Sequence, residues 1–279
     1  MKKIGKFIKS NTKLLVGIIL GAAVSGGAVY AATTIASSQV GYDNSTSGLA
    51  ATDVQGALDE LNQKTKNLYP MQGFNKSILS ATGASAKVYD KRDGNIYTVK
   101  KLADGNVWMT ENLRIAGKTI TSADSNVTSD FTIPASSTSG FNAQDTNNAY
   151  VDSTYGGYYT FYTATAGTGG TSLATDGANA PSSICPKGWR LPTGGSTGEF
   201  ETLYNNYNSV ALMMNVPNFT LSGHVRYGSV YDQGWGGYFW SSTTGSASYA
   251  YYLYLNSSNV FPALNDVKDY GFSVRCMAV

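Results

Sequence analysis

The chain has 279 residues, 20 Lys and Arg against 18 Asp and Glu, a formal net charge of +2 and only 14% charged residues. The basic excess sits in Lys2, Lys3, Lys6, Lys9 and Lys13, so the rest is mildly acidic, which excludes a nucleic-acid partner needing a basic face. His224 is the sole histidine, which excludes His-based zinc chemistry.

Residues 1–32 carry an export signature. The basic start Met1-Lys2-Lys3-Ile4-Gly5-Lys6 precedes an uncharged run over 14–32, densest at Leu14-Leu15-Val16-Gly17-Ile18-Ile19-Leu20, as export segments require. Its lysines stay cytoplasmic, so the chain beyond Ala32 lies outside. Two forms fit. Val29 and Ala31 suit the small-residue positions ahead of a signal-peptide cleavage site. Uncleaved, the run is near the roughly 20 residues that span a bilayer and anchors the chain through 14–32. The expected location is the extracellular face of the membrane or the medium.

Residues 33–69 read as a stalk. After the turn chemistry of Gly41-Tyr42-Asp43-Asn44, Thr52 and Gln55 form a capping box, with Asp53 at the positive helix end. A helix is predicted over 53–68. Val54, Leu58, Leu61, Thr65 and Leu68 keep heptad spacing over about two heptads. This supports either self-association or one amphipathic helix. The stalk resembles connectors of bacterial surface and phage tail-fibre-like proteins. Residues 70–86, rich in Ser, Ala and Gly, read as a linker, and a globular head is expected over 87–279.

Within the head, Asp93-Gly94-Asn95 and Ala103-Asp104-Gly105-Asn106 are turns flanking the strand run Ile96-Tyr97-Thr98-Val99, which predicts a hairpin. Residues 90–95 resemble a calcium loop only faintly: Arg92 holds a ligand position and no Glu closes the loop. Residues 116–183 show no clear period and read as irregular surface structure around the cluster Tyr155-Gly156-Gly157-Tyr158-Tyr159-Thr160-Phe161-Tyr162. Phe200, Leu203, Tyr204 and Tyr207 mark one face of a helix capped by Ser196 or Thr197, and a short helix is expected over 210–215. Strands are expected over 219–225, 237–243, 250–255, 259–262 and 271–279, with Tyr251, Leu253 and Leu255 alternating with Tyr252 and Tyr254.

Six motifs in order carry a family resemblance: Asp93-Gly94-Asn95, Trp108-Met109-Thr110-Glu111-Asn112-Leu113, Tyr155-Gly156-Gly157-Tyr158-Tyr159, Cys185-Pro186-Lys187-Gly188-Trp189-Arg190-Leu191-Pro192-Thr193, Phe239-Trp240-Ser241-Ser242-Thr243 and Val274-Arg275-Cys276. Over 87–279 they resemble the Fibrobacter succinogenes major paralogous domain. The resemblance implies an α+β, C-type-lectin-like head with short antiparallel sheets, one or two helices and long loops, preceded by the membrane or signal helix and the stalk helix. The calcium–sugar motifs of C-type lectins are not carried over. Their nearest counterparts are Val216-Pro217-Asn218 and Leu264-Asn265-Asp266, and Val216 has no oxygen side chain to ligate calcium.

Cys185 and Cys276 are the only cysteines, and in an exported chain a bridge is favoured over a reactive thiol pair. Closing so long a loop is valued at about 4 kcal/mol in the chain-entropy model. Trp108, Trp189, Arg190, Trp240 and Arg275 sit in motifs and are expected to pack the core. The glycine-rich run 223–237 is the candidate binding segment, through Arg226, Tyr227, Tyr231, Asp232 and Trp235, residue types that dominate recognition surfaces.

The expected function is an exported, surface-displayed, adhesin-like binding module for an extracellular glycan or protein. No catalytic residue, metal or cofactor is expected. A structural subunit of a surface layer or fibre is the alternative. An enzyme of the formylglycine-generating type stands behind both.

Overall fold

The computed structural model describes residues 36, 38, 40–45, 49–65 and 68–279. The expected export segment at 14–32 lies outside the described residues. Among the described residues no helix is long and apolar enough to cross a membrane. The chain divides into two compact units, Met1–Asn67 and Leu68–Val279.

In the first unit, helix α1 runs Val54–Thr65. Its cap is Asp53, whose Oδ1 accepts the Gly56 N–H at 2.8 Å. This corrects the Thr52 capping box. The Thr52 carbonyl accepts the Tyr42 N–H at 2.9 Å, which keeps the chain extended at Thr52 and leaves the next residue to reach the orphan amide. The Glu60 carboxylate accepts the backbone N–H groups of Ala50 and Ala51, fastening the entering chain to the second turn. Leu58 and Leu61 are about half exposed. The heptad register stops at Thr65, because Leu68 begins a strand of the second unit.

The second unit is mostly β with short helices. Its elements are β1 (Leu68–Pro70), β2 (Ser85–Tyr89), β3 (Ile96–Lys101), β4 (Val107–Met109), β5 (Lys118–Ile120), β6 (Phe131–Ile133), β7 (Ala149–Asp152), β8 (Gly156–Tyr159), α2 (Phe161–Ala164), β9 (Trp189–Arg190), α3 (Glu199–Tyr207), α4 (Val210–Asn215), β10 (His224–Arg226), β11 (Ser229–Tyr231), β12 (Gly236–Thr244), β13 (Tyr249–Asn256), β14 (Val260–Val267), β15 (Phe272–Ser273) and β16 (Met277–Ala278). Two six-stranded sheets have the orders β1-β2-β3-β4-β16-β9 and β14-β13-β12-β15-β8-β7, with β5-β6 and β10-β11 as separate ribbons. The Asp-Gly-Asn turns do join β2 to β3 and β3 to β4 as antiparallel hairpins.

Three departures from the expected elements have local causes. Residues 70–86 are built into the head: β1 pairs in parallel with β2, Met71 and Leu79 are buried, and the Trp189 indole N–H donates to the Met71 carbonyl at 2.9 Å. Their Gly content serves tight turns rather than slack, since Gly73 and Gly83 hold φ of +82° and +88°. The 219–225 run is a strand only from His224, because Gly223 crosses so close to β11 that a Cβ would collide with the Tyr231 carbonyl oxygen. Strand β14 continues past Pro262 because it is an edge strand whose register shifts between Tyr252 and Tyr254 of its partner. There a missing N–H breaks no ladder.

Helix α3 matches its expected face, with Phe200 and Leu203 buried. Neither Ser196 nor Thr197 caps it. Gly198 is the N-cap residue and makes no side-chain cap bond, while the Thr193 Oγ1 accepts the Glu199 N–H at 3.0 Å. The turn over 194–198 folds back far enough for a residue ahead of it to do this. The Glu199 carboxylate then grips the Arg190 guanidinium through both Nη atoms. Burial pushes the Glu199 carboxyl up, but the donors of Arg190 and Thr193 outweigh it and hold it below its usual value.

Alternation along β12 and β13 divides the second sheet between two cores. One face presents Phe239, Leu253 and Leu255 to Phe200, Leu203 and Phe219. The other presents Trp240 and Tyr252 to Phe161, Phe272 and the remaining core. Trp108, Trp189 and Trp240 are all buried, and each indole N–H is satisfied, by Asp104, Met71 and Tyr159 respectively. Cys185 and Cys276 form a disulfide with Cα atoms 5.9 Å apart. Each cysteine lies just before a strand, and those strands pair directly through Met277 and Arg190.

Candidate functional site

Strands β10 and β11 are joined by Tyr227 and Gly228, at φ of 48° and 79°. Two successive positive φ values make the mirror-image turn that suits a twisted hairpin, where Asn-Gly is the usual pair. An L-residue held in this region loses about 1–2 kcal/mol, so the tyrosine is not there for the turn's benefit. Asp232 leaves β11 at φ 58°, and its Oδ2 accepts the Tyr238 hydroxyl at 2.9 Å.

Alternation along β10 sends Val225 into a buried cluster with Phe141 and Tyr158 and puts His224 and Arg226 on the opposite face. That face overlooks the part of the second sheet that the core leaves uncovered. Between them lies a cleft of ≈ 310 Å³, with His224, Arg226 and Asp232 in its wall and Tyr238, Tyr252, Tyr254, Leu264, Asp266, Tyr270 and Phe272 completing it. Tyr238 packs against Tyr252, Tyr254 and Phe272 at centroid distances of 6.0, 5.0 and 5.1 Å. The result is a continuous aromatic floor.

The cleft's polar groups are unevenly satisfied. The buried His224 imidazole lies between the Tyr231 and Tyr238 rings, at 5.7 and 4.7 Å. Its Nδ1 is buried without a hydrogen-bond partner, and the Asp232 Oδ2 stands 3.5 Å away. Burial pulls the imidazole below its ordinary pKa, Arg226 pushes the same way and Asp232 opposes. The Arg226 guanidinium lies 4.9 Å over the Tyr231 ring, and its Nε is also buried without a partner. Among the described residues no carboxylate pairs with Arg226. Burial raises the Asp266 carboxyl, and Asp269 adds to the effect. The cleft thus offers stacking surface, one cationic fork of donors, carboxylate acceptors and an imidazole whose inner nitrogen is idle.

Of the residues expected to bind, Arg226 and Asp232 line the cleft, and Tyr231 supports both His224 and Arg226 from behind. Tyr227 and Trp235 do not line it. They stand on the surface beside it in sequence, 65% and 81% exposed. His224, Tyr238, Tyr252, Tyr254, Asp266 and Tyr270 are cleft residues that the sequence reading does not single out. The Tyr252 and Tyr254 alternation is a signal for them, since it puts two tyrosines on one sheet face. Asp266 lies in the string compared with the lectin motif, and it reaches the cleft without that motif.

A second hollow of ≈ 270 Å³ lies at Glu111, Asn112, Arg114, Tyr155, Asn218 and Arg275 among others. Arg275 there is fully buried. It donates to the Asn112 Oδ1 and to the carbonyls of Met109, Pro217 and Asn218, and lies 5.1 Å over the Phe219 ring. Burial pulls its pKa down to about 9. These bonds staple the 217–218 turn to the first sheet, which is a packing role.

Residues 103–211 match the family model of the Fibrobacter succinogenes major domain. No curated protein and no solved structure matches the chain. The matched segment is shorter than the six-motif run over 87–279 and stops before β10, so the cleft's residues lie beyond it.

Proposed function

We propose that this chain, whose residues 103–211 match the Fibrobacter succinogenes major domain, is an exported, surface-displayed, non-catalytic binding module with a C-type-lectin-like head. The observation that carries this reading is the concentration of exposed aromatic surface about one cleft. Trp235 is 81% exposed, and Tyr227 is 65% exposed in a backbone conformation that disfavours it. Exposed aromatic and Arg residues gathered in one place are what recognition surfaces are made of. The bridge between Cys185 and Cys276 leaves no free cysteine among the described residues, which weighs against thiol chemistry of the formylglycine-generating type.

The test is capture of ligands from glycan and protein arrays by the full chain, repeated with Trp235→Ala. Binding that weakens at least tenfold while the melting temperature holds supports the reading. Binding indifferent to Trp235, Tyr227 and the cleft residues overturns it. The alternative of a surface-layer or fibre subunit draws on the half-exposed Leu58 and Leu61 of α1. It requires oligomers of the full chain in sedimentation that dissociate in Leu58→Glu.

A further inference from the structure

Two residues of the cleft wall beside β10 differ in chemistry, and each also carries one polar atom sealed from solvent without a partner, Arg226 Nε and His224 Nδ1. The Arg226 guanidinium can only donate. The neutral His224 imidazole accepts through its unprotonated nitrogen. The two residues are separated by Val225 and share one face of the strand. Asp232 and Asp266 add carboxylate acceptors to the same cleft.

The set of groups narrows what would satisfy it. A carboxylate or phosphate would suit Arg226 but would face Asp232 and Asp266. An ammonium would suit the two carboxylates but would face Arg226. A hydroxyl both donates and accepts without charge, so neighbouring hydroxyls serve all four groups together. Beneath them Tyr238 and Tyr254 are only half-buried, a surface on which an apolar ring face stacks. A volume of ≈ 310 Å³ is at the small end of ligand pockets, the size for one small ring rather than a length of polypeptide.

We infer that this cleft is a calcium-independent site for a neutral saccharide, read through hydroxyls bonded to His224, Asp232 and Arg226, and that acidification closes it. The inference rests on the binding-module reading and adds the ligand class, the residues and the regulation. The groups around the imidazole are Arg226 on its own strand, Tyr231 and Asp232 at the end of β11, Tyr238 on β12, Asp266 on β14 and Tyr270 before β15. Once protonated, His224 can no longer accept from a hydroxyl. Its nearest acidic group is Asp232 at 3.5 Å, and the new ion pair withdraws that carboxylate from the ligand as well. Loss of binding sets in below the ordinary imidazole value of about 6.5, because burial favours the neutral ring.

The experiment is calorimetric titration of the full chain, in EDTA, with methyl glycosides of glucose, galactose, mannose and N-acetylglucosamine. At least one should bind at pH 7.5 and lose tenfold or more in affinity by pH 5. His224→Phe keeps the aromatic packing and removes the acceptor, and should lose about tenfold or more at pH 7.5, the scale of one unsatisfied buried group. His224→Asn keeps an acceptor that does not titrate. It should bind with an affinity between wild type and His224→Phe, and with a flat pH profile. If His224→Phe fails to fold, the Asn variant's profile decides. No glycoside binding, binding that EDTA abolishes, or a pH profile unchanged in His224→Asn overturns the inference. Capture of a protein through Trp235 with no glycoside bound would overturn it while leaving the binding-module reading intact. Capture of nothing would sink both.

Discussion

The two faces of the second sheet are built from the same strands and closed very differently. Phe239, Leu253 and Leu255 meet Phe200, Leu203 and Phe219 on one side, and all six side chains are buried. On the other side Trp240 and Phe272 are sealed, stacked at 4.2 Å, but Tyr238 and Tyr254 one strand-repeat away remain half-buried beside the cleft. Stability is concentrated where both sides of the contact are apolar and complete. Where the core stops short, the uncovered residues carry hydroxyls, and that is the face on which the proposed recognition is placed.

The sharpest way to break this contrast is truncation. Phe239→Ala removes a ring packed 4.8 Å from Phe219 and should destabilise the head by about 3–5 kcal/mol. Tyr254→Ala on the open face should lose well under half of that in a denaturant titration. Equal losses would mean that both faces serve equally as core.

Alkaline titration separates the faces next. Burial raises Tyr97, Tyr158, Tyr159 and Tyr252 above the usual tyrosine value of 10.0. Above pH 10 the unfolded chain therefore holds fewer protons than the folded one, and stability falls as pH rises. The buried Lys268 works in the opposite sense over a lower window. Its ammonium donates to the carbonyls of Gly170 and Leu173, and burial pulls its pKa from 10.5 down to about 8. Between those values the unfolded chain holds more protons, so this group adds stability as pH rises. Melting temperatures should climb slightly from pH 8 to 10 and drop beyond. The climb should vanish in Lys268→Met.

Two smaller effects sharpen the picture at the rim. Tyr227→Asn places a residue tolerant of positive φ in the hairpin turn and should gain about 1 kcal/mol of stability while weakening ligand capture. Trp235→Ala should leave stability within about 0.5 kcal/mol, because its ring is 81% exposed, while the same capture assay falls at least tenfold.

Local signals predict local structure well. The Asp-Gly-Asn turns, the α3 face and the tyrosine alternation of β13 are legible because each is set by neighbours along the chain. Residues 70–86 mislead because Ser, Ala and Gly describe a tight, folded turn as readily as a linker. Residues 116–183 show no period because β5, β6, β7 and β8 are only three or four residues each, too short to establish one. The cleft is half legible. Arg226 and Asp232 announce themselves in a glycine-rich loop, whereas Tyr238, Tyr252, Tyr254 and Asp266 come from three strands and meet only through sheet register.

The order of the first sheet also governs when the head can form. Strand β16, last of all the strands in chain order, lies between β4 and β9 in the interior of that sheet. A chain made from its N-terminus therefore holds β1–β4 and β9 as disconnected halves until residue 278 has emerged. Cys276 arrives with the same stretch, so covalent closure and sheet closure fall at the same moment of synthesis. Until then the first sheet is unfinished, while the second needs no strand beyond β15, and a chain that lacks β16 completes the second sheet but never the first.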